Sequence, residues 1–124
     1  MRLETWVPED IHNLHIGYSI DLAVINETKN KITFPYDYGI RILSYDEKSS
    51  DWNEISNGIG YGFPTTPQVA PKGDDGVGVI TVYPEVENNN KSIDIRVVII
   101  GTTTYRIIPI SKQVGAYIDL TLQP

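Results

Sequence analysis

Apolar and polar positions alternate most cleanly over residues 92–101, SIDIRVVIIG, where Ile93, Ile95, Val97 and Ile99 share one face and Ser92, Asp94 and Arg96 begin the other. A period of two built from β-branched residues predicts a half-buried strand, and Val98 and Ile100 predict that its last third is covered on both sides. The alternation recurs over 13–26, with Leu14, Ile16, Tyr18, Ile20, Leu22 and Val24 on one face. It returns over 77–83, where Ile80 and Val82 oppose Val77, Val79 and Thr81, and over 115–122, where Ala116, Ile118, Leu120 and Leu122 oppose Tyr117, Asp119 and Thr121. Shorter strands are expected at 2–7, 31–34, 39–45, 52–55 and 59–63, the last two flanking Asn57-Gly58, a dipeptide that favours tight hairpin turns. Residues 105–110 contain Pro109, which suits an edge strand or a packed loop.

Seven to eight mainly antiparallel strands with no stretch of helical period predict an all-β fold, and the unequal loops favour a β-sandwich over a closed barrel. At 124 residues the chain reads as a single domain, 1–124, large enough to bury a core without a staple. The chain has no cysteine, which removes disulfides, thiolate metal sites and cysteine nucleophiles together.

Ten basic residues against sixteen acidic ones give a net charge of −6 and form no basic stripe, so binding to a phosphate backbone is not expected. No apolar run approaches the length of a membrane helix, and residues 1–10 lack the apolar core of a signal peptide.

Candidate chemistry is sparse. His12 and His15 fall on opposite faces of a strand and have no further ligands for zinc, so no metal site is expected there. Asp46, Glu47, Asp51 and Glu54, like Asp74 and Asp75, have no cation-loop spacing and read as solvated charge. No serine is matched to a base by any motif, and the glycines of 58–63 do not form a phosphate loop. The expectation is a chain that is not an enzyme, with no catalytic residues and no cofactor. Two sequons, at Asn26 and Asn90, fall in expected turns.

One local excess stands out. Tyr36, Tyr38, Tyr45, Trp52, Tyr61 and Phe63 place half of the twelve aromatic residues in the middle quarter of the chain. Aromatic faces stack on sugars or anchor protein interfaces. Tyr36, Tyr38, Trp52, Tyr61 and Phe63 are therefore the candidate binding residues, on a segment stiffened by Pro64, Pro67 and Pro71.

The run NETKNKITFPYDYGIRILSYD, followed by Trp52, Tyr61 and the 69–73 element VAPKG before a strand, resembles immunoglobulin-like domains of bacterial envelope proteins and lipoproteins. It is also similar to the intracellular proteinase inhibitor family of bacilli, with Pro71-Lys72-Gly73 where that pattern has adjacent Pro and Gly. The resemblance spans 22–83 and implies an immunoglobulin-like sandwich that binds another protein and performs no chemistry. No reactive residue carries over. The reading is thus a non-catalytic binding module of an exported or surface protein, with an extracytoplasmic setting favoured and a protein as the expected partner. Its alternatives are an inhibitor acting through an exposed loop at 63–72 and a carbohydrate-binding module using exposed aromatics.

Overall fold

Ile95, Val97 and Ile99, the inward positions of the cleanest alternation, are all fully buried, and a 12-residue strand runs through them. In the computed structural model, which describes residues 1–35, 37–59, 67–70, 72–104 and 111–124, nine strands follow one another: β1 (Arg2–Thr5), β2 (Ile20–Ile25), β3 (Ile32–Thr33), β4 (Arg41–Asp46), β5 (Asp51–Ile55), β6 (Gln68–Val69), β7 (Val77–Val82), β8 (Ile93–Thr104) and β9 (Ser111–Leu122). The fold is all-β, and among the described residues the only helical element is a 3-10 turn at Pro8–His12.

The strands form two antiparallel sheets. β1-β2-β7 make the smaller one. In the larger, β8 is central: β9 pairs along the whole of one edge, while β4 and β3 share the other, with β5 beyond β4 and β6 beyond β3. The inward faces of both sheets meet in one core, where Leu22, Val24, Ile80 and Val82 pack with Ile32, Phe34, Ile42, Ile95, Val97, Ile99, Leu120 and Leu122. Alternating inward residues from two facing sheets are the interior of a sandwich.

Truncating Val97 to alanine removes buried methyl groups at a site without solvent exposure and is expected to destabilise by about 1–3 kcal/mol in a urea melt. A change near zero would show that the β8 register is wrong.

Several expectations need correction. The strand expected over 13–26 starts only at Ile20, because Gly17, at φ +90°, turns the chain. Leu14 and Ile16 stay buried by bonding to the C-terminal end, where Gln123 N–H donates to the Leu14 carbonyl at 2.8 Å and Ile16 N–H to the Gln123 carbonyl at 2.8 Å. Tyr18, past the turn, is 70% exposed and does not join the core. His12 and His15 therefore sit in the 3-10 turn and the following loop, not on a strand.

Most of the second strand of the hairpin expected at Asn57-Gly58 lies outside the described residues, while β5 pairs with β4 through the charged turn at 47–50, and Asn57 bridges to Pro84. There the Asn57 carboxamide oxygen accepts from the N–H of Tyr83 and of Ile59, so the dipeptide fastens β5 to the end of β7. Residues 60–63 and 105–110 lie outside the described residues. Ile93 and Ile118, expected inside, are half-buried at the sandwich margin. β9 begins earlier than expected, at Ser111, and β8 continues through Gly101 to Thr104.

Candidate functional site

The outward face of the larger sheet collects the aromatic and cationic side chains that its core positions leave over. Register sets the rows: Leu43 lies opposite both Glu54 and Arg96, Arg96 opposite Asp119, Tyr45 opposite Trp52, and Val98 opposite Tyr117. Because side chains alternate across a strand, these residues stand on the side away from Ile42, Ile95, Val97 and Leu120.

At the centre is Arg96. Its guanidinium carbon lies 4.5 Å from the ring centroid of Trp52 and 4.5 Å from that of Tyr117, so the cation is held between two aromatic rings. Asp119 fixes it laterally, accepting from Nε at 2.7 Å and from Nη2 at 3.0 Å. A fork of this kind prescribes both distance and plane, and the two ring faces attract the cation electrostatically. Tyr45 extends the row, its ring centroid 5.2 Å from that of Trp52 and tilted by 56°. Leu43 and Val98 are half-buried between them, and Tyr117 is 60% exposed.

Polar groups flank this centre in hydrogen-bonded pairs. Arg41 makes a two-point contact with Glu54, at 3.2 and 3.0 Å, and that hydrogen bond holds the Glu54 carboxyl below its ordinary value. Asp94 accepts from the Thr121 hydroxyl at 2.7 Å. The result is a four-stranded platform, β5-β4-β8-β9, with an aromatic and aliphatic centre, one ordered cation and a paired polar rim.

Of the five candidate binding residues, Trp52 stands on this platform. Tyr38 does not: it occupies a turn at φ +58°, packs its ring 4.9 Å from that of Phe34 at the edge of the core, and has its phenol pushed above its ordinary value by burial. The two are not brought together. Tyr36, Tyr61 and Phe63 lie outside the described residues, as does part of the loop at 63–72. Arg96 and Tyr117 were missed as site residues. Their outward positions were legible in the alternation, but their meeting depends on the β8–β9 register.

A polar cleft of about 720 Å³ opens at the end of the sandwich and includes Asp10, Asn13, His15, Tyr18, Asp21 and Asn88 in its lining. His15 meets Tyr18 edge-on at 6.4 Å, and Asp21 accepts from the Thr81 hydroxyl at 2.7 Å. Among the described residues no three His, Asp or Glu side chains converge as metal ligands, and no helix is long and apolar enough to cross a membrane. In the loops considered for calcium, Asp46 and Asp51 each accept a nearby backbone N–H at 2.9 Å.

Comparisons with protein-family models, curated proteins and solved structures gave no match for this chain.

Proposed function

We propose that this chain is a non-catalytic interaction module that receives a protein partner on the outer face of β5-β4-β8-β9. The observation that carries the reading is the Arg96 guanidinium, stacked between Trp52 and Tyr117 and clamped by Asp119. Trp, Tyr and Arg are the residues on which interface energy concentrates. A side chain already ordered in the free protein loses little rotamer entropy on docking.

Asp119 engages only Nε and Nη2, so the remaining guanidinium N–H groups suit a carbonyl or carboxylate of the partner. Around it, Leu43, Tyr45 and Val98 suit an apolar or aromatic side chain. The expected partner surface therefore sets an apolar anchor beside a hydrogen-bond acceptor. A sugar is the weaker match, because one face each of Trp52 and Tyr117 is taken by the guanidinium and Tyr45 is tilted on Trp52. The resemblance to immunoglobulin-like domains of envelope proteins supports the same class of function.

The test presents wild-type, Trp52→Ala and Tyr117→Ala proteins in parallel to a displayed protein library and to a glycan array. Wild type is expected to select a protein ligand whose affinity falls at least about tenfold in either variant, as for truncation of an interface anchor, while the melting midpoint moves little. A ligand bound equally well by all three proteins, or selection of glycans alone, overturns the proposal.

A further inference from the structure

β9 is a 12-residue edge. Its pairing with β8 is unbroken from Ser111 to Leu122, without a bulge, and among the described residues no strand pairs with its other side. Among the described residues, β1 and the 3-10 turn lie against β9 and the 14–16 segment bonds to Gln123 past its end, but none of them continues the ladder along 113–119. Every second residue of an edge strand points its N–H and C=O outward, and proteins guard such edges with proline, bulges, inward charges or a covering segment. Residues 113–119 carry no proline, and their one charge, Asp119, is held by Arg96.

The margin beneath this edge is also incomplete. On the inward face of β8, Val97, Ile99 and Gly101 are buried, whereas their partners on β9, Ile118, Ala116 and Val114, are only half-buried.

We infer that β9 pairs antiparallel with β9 of a second copy of this chain, about a two-fold axis perpendicular to the sheet at Ala116. A two-fold interface of this kind uses the same patch on both subunits. It also keeps each face of the sheet on its own side, so paired residue numbers must sum to an even value. With Ala116 opposite itself, half-buried Val114 meets Ile118 of the second copy on the inward side, twice, and the three half-buried positions of each copy close over those of the other. On the outward side Gln113, a donor, meets Asp119 of the second copy, an acceptor. Gly115 meets Tyr117 of the second copy and leaves space for its ring. The pairing over 113–119 ends before Gln123, so the 14–16 contact survives. The second copy is the occupant because this edge supplies both halves of that match. Two binding platforms then lie on one continuous sheet, with Tyr117 at the seam.

Sedimentation across a wide concentration range, together with spin-label distances, tests this. Wild type is expected to double in mass with rising concentration, and more readily at high salt, since each copy carries a net charge of −6. Labels on Gln113→Cys in this cysteine-free chain are expected to report a backbone separation of about 20 Å, six residues along paired strands. Ala116→Lys, which sets two ammonium groups face to face, is expected to weaken association at least tenfold. Amide exchange on the wild-type protein is independent of any variant's folding and is expected to show protection over 113–119 that rises with concentration. A monomer at millimolar concentration, a dimer indifferent to Ala116→Lys, a label distance far from 20 Å, or exchange unaffected by concentration each overturns the inference.

Discussion

Replacing Asn26 by alanine is expected to lower the unfolding free energy by about 3–5 kcal/mol, the cost of leaving several buried polar groups unpaired. Asn26 is 1% exposed and ties three segments together. Its Nδ2 donates to the carbonyls of Asn30 at 2.8 Å, Ala70 at 3.0 Å and Val69 at 3.3 Å, and its Oδ1 accepts from the Thr28 N–H at 2.9 Å and the Thr28 hydroxyl at 2.7 Å. The turn after β2 is thereby fixed to the strand β6 of the opposite sheet. Asn26→Asp separates the two roles, keeping the acceptor while turning a carboxylate toward three carbonyl oxygens. That carboxyl is expected to titrate above its ordinary value in the folded state. Stability of this variant should then be greatest below the ordinary carboxylate pKa and fall as pH rises through the raised value. Urea melts of both variants between pH 4 and 8 check this, and an Asn26→Asp protein as stable as wild type at pH 7 would refute the assigned hydrogen bonds. The same geometry bears on the sequon at Asn26, because the nitrogen a glycan would need is already committed to buried carbonyls.

Asn26 also shows how far the sequence could be read. Its residue type and neighbour Thr28 suggested a turn or a glycan acceptor, and nothing in the local pattern pointed to a partner more than forty residues away, at Val69 and Ala70. What was legible is what burial on one face imposes locally: Ile20, Leu22 and Val24, Ile80 and Val82, Ile95, Val97 and Ile99, and Leu120 and Leu122 all lie inside as the period of two required. The failures share a cause. Tyr18 continued the pattern in sequence but not in space, because Gly17 turned the chain first. At the platform, aromatic density pointed to Trp52. It pointed equally to Tyr38, whose left-handed turn packs it on Phe34. Arg96 reaches Trp52 across β4 and Tyr117 across the β8–β9 ladder, contacts that exist only once strand order and register are set.

Gly101→Ala is expected to destabilise the protein by about 1–3 kcal/mol through overpacking, although an alanine in a strand is ordinarily the better residue. Glycine in a strand interior costs roughly 0.5–1 kcal/mol of backbone entropy relative to alanine, so without crowding the substitution would stabilise. The sign is decided by the space beside β8. A methyl group at Gly101 would stand 2.6 Å from Ile32 Cγ2 and 2.8 and 2.9 Å from the Phe34 ring, against fully buried side chains with nowhere to retreat. Gly101 therefore marks where β3 and the following Phe34 press onto the centre of the larger sheet. Ile32→Ala removes the nearest methyl and opens the space the new one needs. Alone it is expected to cost about 2–5 kcal/mol. In the Gly101→Ala background it should cost less, by a coupling of at least about 0.5 kcal/mol. A double-mutant cycle measured by urea unfolding reads both quantities. A stabilising Gly101→Ala, or a cycle with no coupling, would show that β3 does not pack against β8 at this point.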